Sequence, residues 1–348
     1  MPAGTVPAGT VADVPELTIA DLGEDALLER LFPVLPFGSA TLLGPGDDAA
    51  VLAVPDGRVV VTTDVLVEGR HFRLDWSDGV DVGWRAAVQN LADVAAMGAR
   101  PTALLVALVV PPTLPVRWAV DLASGLAQAC PPGVGVVGGD LSGGTELVVS
   151  VTALGDLEGR APVRRSGARA GDVVAHAGVR GRSAAGCALL AAGHAGRQGA
   201  GHRDAVRAYL RPVCPLQAGV LAATGGATAM LDVSDGLLRD AARLARASGV
   251  VVRLDEPEAA FPDDWAALAP VAQDLGVDPA VWVLTGGEDH GLLATFPPGA
   301  VPAPFRVIGE VTAPAEQGAG TVAGTVLVDG ALWRGSPGWD HFRDQPRR

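Results

Sequence analysis

Five short acidic motifs of this chain share one design, in which an apolar run is followed by small residues and then by one or two carboxylates. Glycine ahead of a carboxylate allows a close approach of backbone or ligand, and strand ends in α/β proteins are common ligand sites. If the motifs converge, repulsion among their carboxylates requires neutralising cations. The motifs are Gly46-Asp47-Asp48, Thr62-Thr63-Asp64, Gly138-Gly139-Asp140, Asp232-Val233-Ser234-Asp235 and Gly286-Gly287-Glu288-Asp289.

The chemistry that this set suggests is magnesium-dependent. Carboxylates grouped with Thr and Ser hydroxyls form a hard-oxygen ligand set that suits Mg²⁺. Asp93, inside the helical stretch NLADVAAMG, is a further candidate. Mg²⁺ in turn favours sites where substrate phosphates complete its coordination shell. Each motif alone is more typical of a turn than of a ligand set, but together they indicate Mg²⁺–nucleotide chemistry in an acidic cleft.

The basic residues narrow the ways in which this protein could hold a phosphate. All 26 of them are arginines, because the chain contains no lysine. The P-loop pattern G-x-x-x-x-G-K-[ST] and the protein-kinase motifs are both absent from the sequence. A lysine-dependent phosphate site is therefore excluded, and metal ions and arginines must neutralise any bound phosphate.

Composition excludes several other classes of protein. The 348 residues are 49% hydrophobic with a formal net charge of −13, which argues against nucleic acid or an anionic membrane as the main partner. Cys130, Cys187 and Cys214 are too few and too widely spaced to indicate a disulfide framework or a CxxC metal site. We find no signal peptide and no apolar run long enough to span a membrane, so we expect a cytoplasmic protein.

Strand-like runs alternate with helical stretches, which predicts an α/β (α+β mixed) protein of two domains. A repeated PAGTV opens residues 1–20, which we predict to be a disordered tail. The N-terminal domain is predicted over 21–155 and a C-terminal α/β domain over 156–348, with the junction in a polar segment rich in Arg and Gly. The run AAVLAVPDGRVVVTTD predicts a β-hairpin that turns at Pro55-Asp56-Gly57.

From about Leu22 to Phe342 the chain resembles the thiamine-monophosphate kinase family of the PurM-like ATP-binding superfamily. The motifs that carry the resemblance are GPGDDAAVL, VTTDVLVEGRHF, NLADVAAMGARP, VVGGDLSGG, VRRSGARAGD, LDVSDGLLRD, LTGGEDHGL and GWDHF. It implies a PurM-like fold in which the N-terminal domain binds ATP and Mg²⁺ and forms a β-barrel with that of a second subunit. It also implies transfer of the ATP γ-phosphoryl group onto thiamine monophosphate, giving thiamine diphosphate and ADP.

The resemblance also implies roles for individual positions. The positions that match the family's ligands for several Mg²⁺ ions are Asp48, Thr62, Thr63, Asp64, Asp93, Asp140, Asp232 and Asp235. Among these, the residues assigned to catalysis are Asp64, Asp140 and Asp235. The matches to the ATP contacts are Gly139, Asp140, Arg165 and Ser234. The matches to the thiamine-phosphate contacts are His71, Glu288 and Trp339. Asp47 is interpreted as a turn residue or a supporting acid.

One motif departs from the family pattern, and two alternative functions stay open. After GGED the family commonly has Tyr-Glu, whereas this chain has His290-Gly291. The first alternative is another PurM-like ATP-dependent synthetase with a different acceptor. For a selenophosphate synthetase we would expect a reactive Cys and a Lys near the N-terminus, but the first cysteine is Cys130. The second alternative is a non-catalytic nucleotide-binding maturation or scaffold protein, which need not retain carboxylates in every motif.

Overall fold

A computed structural model describes residues 16–46, 49–194, 199–315 and 321–339 of the chain. Its helices are α1 (Ile19–Leu22), α2 (Glu24–Leu31), α3 (Gly79–Ala96), α4 (Val116–Ala129), α5 (Arg182–Ala191), α6 (Ala200–Leu210), α7 (Leu216–Thr224), α8 (Leu237–Ser248), α9 (Pro257–Ala260), α10 (Pro262–Leu275) and α11 (Pro279–Thr285). Its strands are β1 (Thr41–Leu43), β2 (Val51–Leu52), β3 (Val60–Val67), β4 (Arg100–Val110), β5 (Gly135–Gly143), β6 (Val148–Asp156), β7 (Val173–Ala177), β8 (Ala229–Val233), β9 (Val251–Leu254), β10 (Gly291–Phe296), β11 (Arg306–Thr312) and β12 (Val326–Val328).

The N-terminal half is built on a four-stranded sheet in the order β3-β6-β4-β5. Neighbouring strands are antiparallel except β4 and β5, which are parallel. Burial alternates along β6 and shows which face of the sheet is covered by helices. Val149, Val151 and Ala153 are fully buried, whereas the residues between them are half-buried. Helices α3 and α4 cover this buried face, and the opposite face carries exposed side chains of β3.

Helix α3 is buried almost all round and connects the two halves of the molecule. It begins at a capping box, in which the Asp78 carboxylate accepts a hydrogen bond from the backbone N–H of Asp81 at 2.8 Å. The backbones of α3 and α4 are in direct contact at Gly83, where an added Cβ would lie 2.1 Å from the carbonyl oxygen of Leu122. Another side of α3 packs on β3 of the sheet. Trp84 of the same helix reaches the C-terminal half of the chain, where its indole N–H donates to the Pro212 carbonyl at 2.7 Å.

The C-terminal half contains a six-stranded sheet in the order β12-β9-β11-β7-β10-β8. Strand β10 pairs antiparallel with β7 on one side and with β8 on the other. Register places Asp232, near the end of β8, opposite Leu292 of β10. The two motifs that precede β10 and follow β8 therefore lie side by side at one edge of this sheet.

Residues 157–172, between the last strand of the first sheet and the first strand of the second, form neither helix nor strand. Strand β6 of the first sheet runs to Asp156, and the division into domains 21–155 and 156–348 stays a prediction. The first helix starts at Ile19, inside the segment predicted as a tail, and residues 1–15 lie outside the described residues. Thr18 caps that helix through its hydroxyl.

The predicted β-hairpin is wrong. Strand β2 pairs antiparallel with β1, whereas β3 pairs with β6. The turn at Pro55-Asp56-Gly57 exists, but the chain leaves one sheet there and enters another. The hydrophobic pattern was correct for both strands, but a pattern within one strand carries no information about its distant partner.

Within the described ranges, no helix combines the length and the apolar character that a membrane crossing requires.

Candidate active site

A group of acids forms where β3, α3 and β8 meet. Thr62 and Asp64 alternate with exposed residues on β3, so both side chains point toward α3. The Thr62 hydroxyl donates a hydrogen bond to Asp93 at 2.8 Å. Burial, together with the nearby charges of Asp232 and Asp64, raises the pKa of Asp93 to about 7. Three carboxylates from three separate elements therefore repel one another here, and this is an environment that favours a bound cation.

The acids are near one another without forming a finished coordination shell. Among the described residues, no group of three His, Cys, Asp or Glu side chains has the arrangement that would hold a metal ion. Asp47 and Asp48, of the GPGDD motif, lie outside the described residues. The donor set of Thr62, Asp64, Asp93 and Asp232 nevertheless consists of oxygens only, which fits Mg²⁺.

Two of the candidate metal ligands lie on the other face of the four-stranded sheet. Thr63 is exposed there, and its hydroxyl donates to the Val151 carbonyl at 3.0 Å. Asp140 is exposed near the opposite edge, on β5, and accepts from the Ser142 hydroxyl at 2.8 Å. Register across the sheet pairs Asp140 with Ala107, Ala107 with Ser150, and Ser150 with Val65. Three strand spacings, about 14 Å, therefore separate the two edges.

The GGED loop lies next to the acid group and holds an unusual backbone conformation. Glu288 and His290 adopt φ angles of 66° and 52°, in the left-handed region that side chains other than glycine seldom occupy. The Glu288 amide donates to the Ser234 carbonyl at 2.8 Å, which joins this loop to the one that follows β8. A Cβ on Gly287 would lie 2.5 Å from the same carbonyl oxygen, so only glycine fits this approach.

Asp289, between those two residues, holds the loop to the start of α5. Its carboxylate accepts hydrogen bonds from the backbone amides of Gly181 at 2.6 Å and Ser183 at 2.8 Å. It also lies 3.4 Å from a guanidinium nitrogen of Arg180, and both side chains are completely buried. Arg180 donates in addition to the carbonyls of Val283 and Gly286. This network secures the conformation that presents Glu288.

Replacing Asp289 by Ala should lower the free energy of unfolding by about 3 kcal/mol, because the Arg180 charge would stay buried without its counter-ion. Urea denaturation of the purified variant measures this loss. The matched control is Asp263→Ala, since Arg306 and Asp263 form an exposed ion pair at 2.7 Å and should contribute less than about 1 kcal/mol. Equal losses from the two variants would contradict the role of Asp289.

Glu288 is surrounded by cationic groups. Its Oε2 atom lies 4.0 Å from an Arg85 guanidinium nitrogen and 3.9 Å from Nε2 of His290, and it has no hydrogen-bond partner among the described residues. Burial opposes ionisation of Glu288, but the charges of His290, Arg85 and His71 outweigh it and lower its pKa to about 2. His71 and Glu288, which the resemblance assigned to the same substrate, are therefore close enough to interact.

His290 lies between Glu288 and the acid group. Its Nδ1 is 3.7 Å from an Asp232 oxygen, and both ring nitrogens lack a hydrogen-bond partner among the described residues. Burial opposes its protonation, but the neighbouring Asp232 and Glu288 outweigh burial and raise its pKa to about 10. A histidine cation thus replaces the usual family tyrosine beside the acids.

The neighbouring position, Gly291, is also explained by local packing. A Cβ there would lie 2.5 Å from Nε2 of His176 and 2.8 Å from the Ala177 carbonyl oxygen. His176 is itself buried against the Phe261 ring. The glutamate that the family usually has after the tyrosine could not be accommodated here.

Asp235 and Trp339 meet at the start of α8. The Trp339 amide donates to the Asp235 carbonyl at 2.9 Å, which joins the backbone of this half-buried residue to the acid motif. The Asp235 carboxylate forms an ion pair with Arg243 at 2.7 Å and lies 3.9 Å from Arg239. Asp340 and the residues beyond it lie outside the described residues.

The candidate ATP contacts are spread over three segments. Gly139 packs against β4 so closely that a Cβ would lie 1.8 Å from the Val106 carbonyl oxygen. Ser234 follows β8 directly, beside Asp235. Arg165 is exposed on the segment between the two sheets, where its carbonyl accepts from the Ser248 hydroxyl at 3.0 Å. Within the described ranges, its side chain makes no hydrogen bond or ion pair with the acid group.

Several residues of the site were not predicted from the sequence. They are Arg85, Tyr209, Asp240, Arg243 and Cys214. Asp240 accepts a hydrogen bond from the Asp235 amide at 3.0 Å. Burial raises the pKa of the Cys214 thiol, and the nearby charges of Asp232 and Asp93 raise it further. Cys214, in the loop between α6 and α7, gives no local signal of such contacts, whereas Arg85, a charged residue in an otherwise apolar helical stretch, could have been singled out.

Comparison with known proteins first defines the class. Residues 46–157 match the family "AIR synthase related protein, N-terminal domain", and residues 169–319 match "AIR synthase related protein, C-terminal domain". These matches cover most of the chain, one on each sheet, and confirm the mixed α/β two-domain fold. The protein therefore has the AIR synthase related architecture.

The individual relatives are more specific. Thiamine-monophosphate kinase of Mycobacterium tuberculosis is 49% identical over 327 residues, which is 93% of each chain. The Corynebacterium glutamicum protein of the same name is 42% identical over 331 residues, covering 93% of this chain and 95% of the relative. A solved structure of AaThiL complexed with AMPPCP and TMP is 31% identical, with a TM-score of 0.73 over 95% of this chain and 100% of the other. The chain belongs to the thiamine-monophosphate kinase family, which confirms the resemblance seen in its motifs.

Proposed function

We propose that this protein transfers the γ-phosphoryl group of ATP onto thiamine monophosphate, giving thiamine diphosphate and ADP. Membership of the family supplies the reaction. The observation on this chain that carries the proposal is the meeting of Thr62, Asp93 and Asp232 beside a loop that presents Glu288. This arrangement offers an oxygen-rich metal site next to a group that could bind a cationic organic substrate.

The proposed chemistry requires positioning more than acid–base catalysis. The attacking group is a phosphate oxygen that is already ionised near neutral pH, so no strong general base is needed. Bound Mg²⁺ would neutralise the two polyanions and the charge that develops in the loose transition state. Asp64, Asp93 and Asp232 would hold such ions with Thr62, while the proposed roles of Asp48 and Asp235 extend the same set.

For the substrates we propose the assignments that the motifs suggested. Glu288 would contact the thiamine cation or its pyrimidine amine, and His71 the substrate phosphate. Trp339 would stack on an aromatic ring of the substrate. ATP would be contacted by Gly139, Asp140, Arg165 and Ser234. The Arg165 side chain is exposed, so its guanidinium could reach the phosphate oxygens.

We further propose a homodimer in which the outer faces of two four-stranded sheets pack together. Val61 and Val65 of β3 are 62% and 45% exposed on this face, and within the described residues β3 and β5 are the two edges of the sheet. Exposed apolar faces and open edges favour association. If β5 of one subunit lay beside β3 of the other, Asp140 would share a face with Thr63 across the interface and lie one strand away from Asp64. The cytoplasmic location stays a prediction.

Release of ADP, measured with and without thiamine monophosphate, tests the proposed reaction. We expect ADP formation only when ATP, Mg²⁺ and thiamine monophosphate are all present, with one thiamine diphosphate formed per ADP. Replacing the substrate by thiamine, which lacks the acceptor phosphate, is the matched control. Stimulation by a different acceptor would support another synthetase of the superfamily, and the absence of any stimulation would support a non-catalytic binding protein.

Trp339→Ala should raise KM for thiamine monophosphate about fivefold and leave KM for ATP within twofold, because the indole face would contact only the aromatic substrate. Steady-state kinetics with each substrate varied in turn measures the two constants. The control is Trp333→Ala, a tryptophan of the same C-terminal segment whose partly buried ring packs on the C-terminal core. Equal increases in both KM values for Trp339→Ala would contradict stacking.

A further inference from the structure

Arg85, in the middle of α3, is a permanently charged side chain that is only 2% exposed. Burying a guanidinium is costly unless its donors are satisfied by suitable partners. Its partners come from three segments that are far apart in the sequence, so its position determines how those segments lie relative to one another.

Two of these partners are backbone carbonyls. One terminal nitrogen of Arg85 donates to the His71 carbonyl at 2.7 Å, and the other donates to the Tyr209 carbonyl. The guanidinium carbon also lies 4.1 Å from the centre of the Tyr209 ring, a cation–π arrangement. The planar fork of arginine satisfies both carbonyls at once, which a single ammonium group could not do with the same geometry.

The third partner is Glu288. The nitrogen that donates to His71 lies 4.0 Å from Glu288 Oε2, an oxygen that has no hydrogen-bond partner among the described residues. One guanidinium nitrogen therefore faces both residues proposed for the thiamine-phosphate half of the site. Among the described residues, the hydrogen bonds and ion pair of Arg85 reach neither the acid group around Asp93 nor the candidate ATP contacts.

We propose that Arg85 is a positioning residue for the thiamine-monophosphate half of the site, where it fixes the His71 loop and the Glu288 carboxylate relative to each other. This inference rests on the proposed function. It requires that loss of Arg85 weakens binding of the acceptor much more than binding of ATP. A purely structural role, as a link between the two halves of the chain, would affect both substrates alike.

The molecule offers a matched control for the structural role. Arg211 also links the two halves, because its guanidinium donates to Asp81 of the same helix α3. Like Arg85, it connects helix α3 to the C-terminal half of the chain. Among the described residues its ion pairs are with Asp78 and Asp81, and not with His71 or Glu288. Arg211→Met therefore weakens the link between the halves and leaves the proposed substrate contacts in place.

The experiment compares Arg85→Met, Arg85→Lys and Arg211→Met with the wild type, all confirmed as folded by thermal melting and circular dichroism. We expect Arg85→Met to raise KM for thiamine monophosphate about tenfold or more, with KM for ATP within twofold. Arg85→Lys should show a smaller increase, since the ammonium can replace one donor. Arg211→Met should leave both KM values within twofold of the wild type. If Arg85→Met does not fold, Arg85→Lys carries the same comparison.

Adding Glu288→Gln provides a second readout. If Arg85 acts through Glu288, the double variant Arg85→Lys/Glu288→Gln should raise KM for thiamine monophosphate by less than the product of the two single effects. Folded Arg85 variants with an unchanged KM for thiamine monophosphate, or with equal increases for both substrates, would overturn the proposal. A wild-type protein that forms no ADP in response to thiamine monophosphate would instead refute the proposed function, so the two failures are distinguishable.

Discussion

Asp93→Asn is expected to reduce turnover on the order of a thousandfold and, at the same time, to stabilise the metal-free protein at pH 8. The loss of turnover follows from removing a carboxylate at the centre of the proposed metal site. The gain in stability follows because burial, and then the charges of Asp232 and Asp64, oppose ionisation of Asp93 and raise its pKa. Asparagine removes that repulsion and can keep the hydrogen bond from Thr62.

The pH dependence fixes the sign of the stability effect. In the unfolded chain Asp93 ionises near its ordinary pKa of 3.8, whereas in the folded protein its pKa is about 7. Between these values the folded state binds more protons than the unfolded state, so metal-free wild type loses stability as pH rises from about 4 to about 7. The variant should match the wild type near pH 4 and exceed it by about 4 kcal/mol at pH 8, since each pKa unit corresponds to about 1.4 kcal/mol.

Urea denaturation in EDTA at a series of pH values measures this difference, and adding Mg²⁺ should reverse the order by stabilising the wild type. The control is Asp121→Asn, an acid on the surface of α4 that pairs with Arg117 at 3.6 Å. It should change neither turnover nor the pH profile. A metal-free Asp93→Asn protein that is less stable than the wild type at pH 8 would contradict the placement of the acids.

Mixing two inactive variants, Asp64→Asn and Asp140→Asn, should recover up to about a quarter of the wild-type activity. Asp64 and Asp140 stand near opposite edges of one sheet and on opposite faces, so one chain alone does not bring them together. In the proposed dimer each site takes one acid from each subunit. Random exchange then gives half heterodimers, and each heterodimer has one intact site out of two.

The control mixture is Asp64→Asn with Asp93→Asn. These two acids belong to the same side of the same chain, so every site in a heterodimer would carry one defect and no activity should return. The measurement is ADP release after co-refolding or co-expression of differently tagged chains. If the mixture of Asp64→Asn and Asp140→Asn stays inactive although heterodimers form, Asp140 does not complete the site across the interface.

The sequence predicted the alternation of strands and helices and the class of fold well, because period-2 and period-3.6 hydrophobic patterns are local. The motifs also predicted that Asp48, Asp64, Asp93, Asp140 and Asp232 would lie together. Asp64, Asp93 and Asp232 are close enough for their charges to interact, whereas Asp140 lies at the opposite edge of the sheet, on its other face, and Asp48 is outside the described residues. Pairing partners were harder to predict. Strand β2 pairs with β1 and not with β3, and nothing in a two-residue strand specifies which edge it will join.

Electrostatic neighbours were also beyond the reach of the sequence. Arg85 and Glu288 are separated by about two hundred positions in the printed sequence, and only the packing of α3 against the C-terminal half brings them together. The two faces of β3 illustrate a second limit. Adjacent threonines were grouped as ligands of one site, but the alternation of a strand turns Thr62 toward Asp93 and Thr63 toward the exposed face.

The contact between Gly291 and His176 has a consequence for anyone who wishes to redesign this site. Because an added methyl group at 291 would collide with both an imidazole and a strand carbonyl, a library that randomises this codon alone should return only glycine. Introducing the tyrosine–glutamate pair of other family members would require simultaneous change at 176 and a wider gap between β7 and β10. When sequence is exchanged between relatives, positions 176, 290 and 291 should therefore be replaced together.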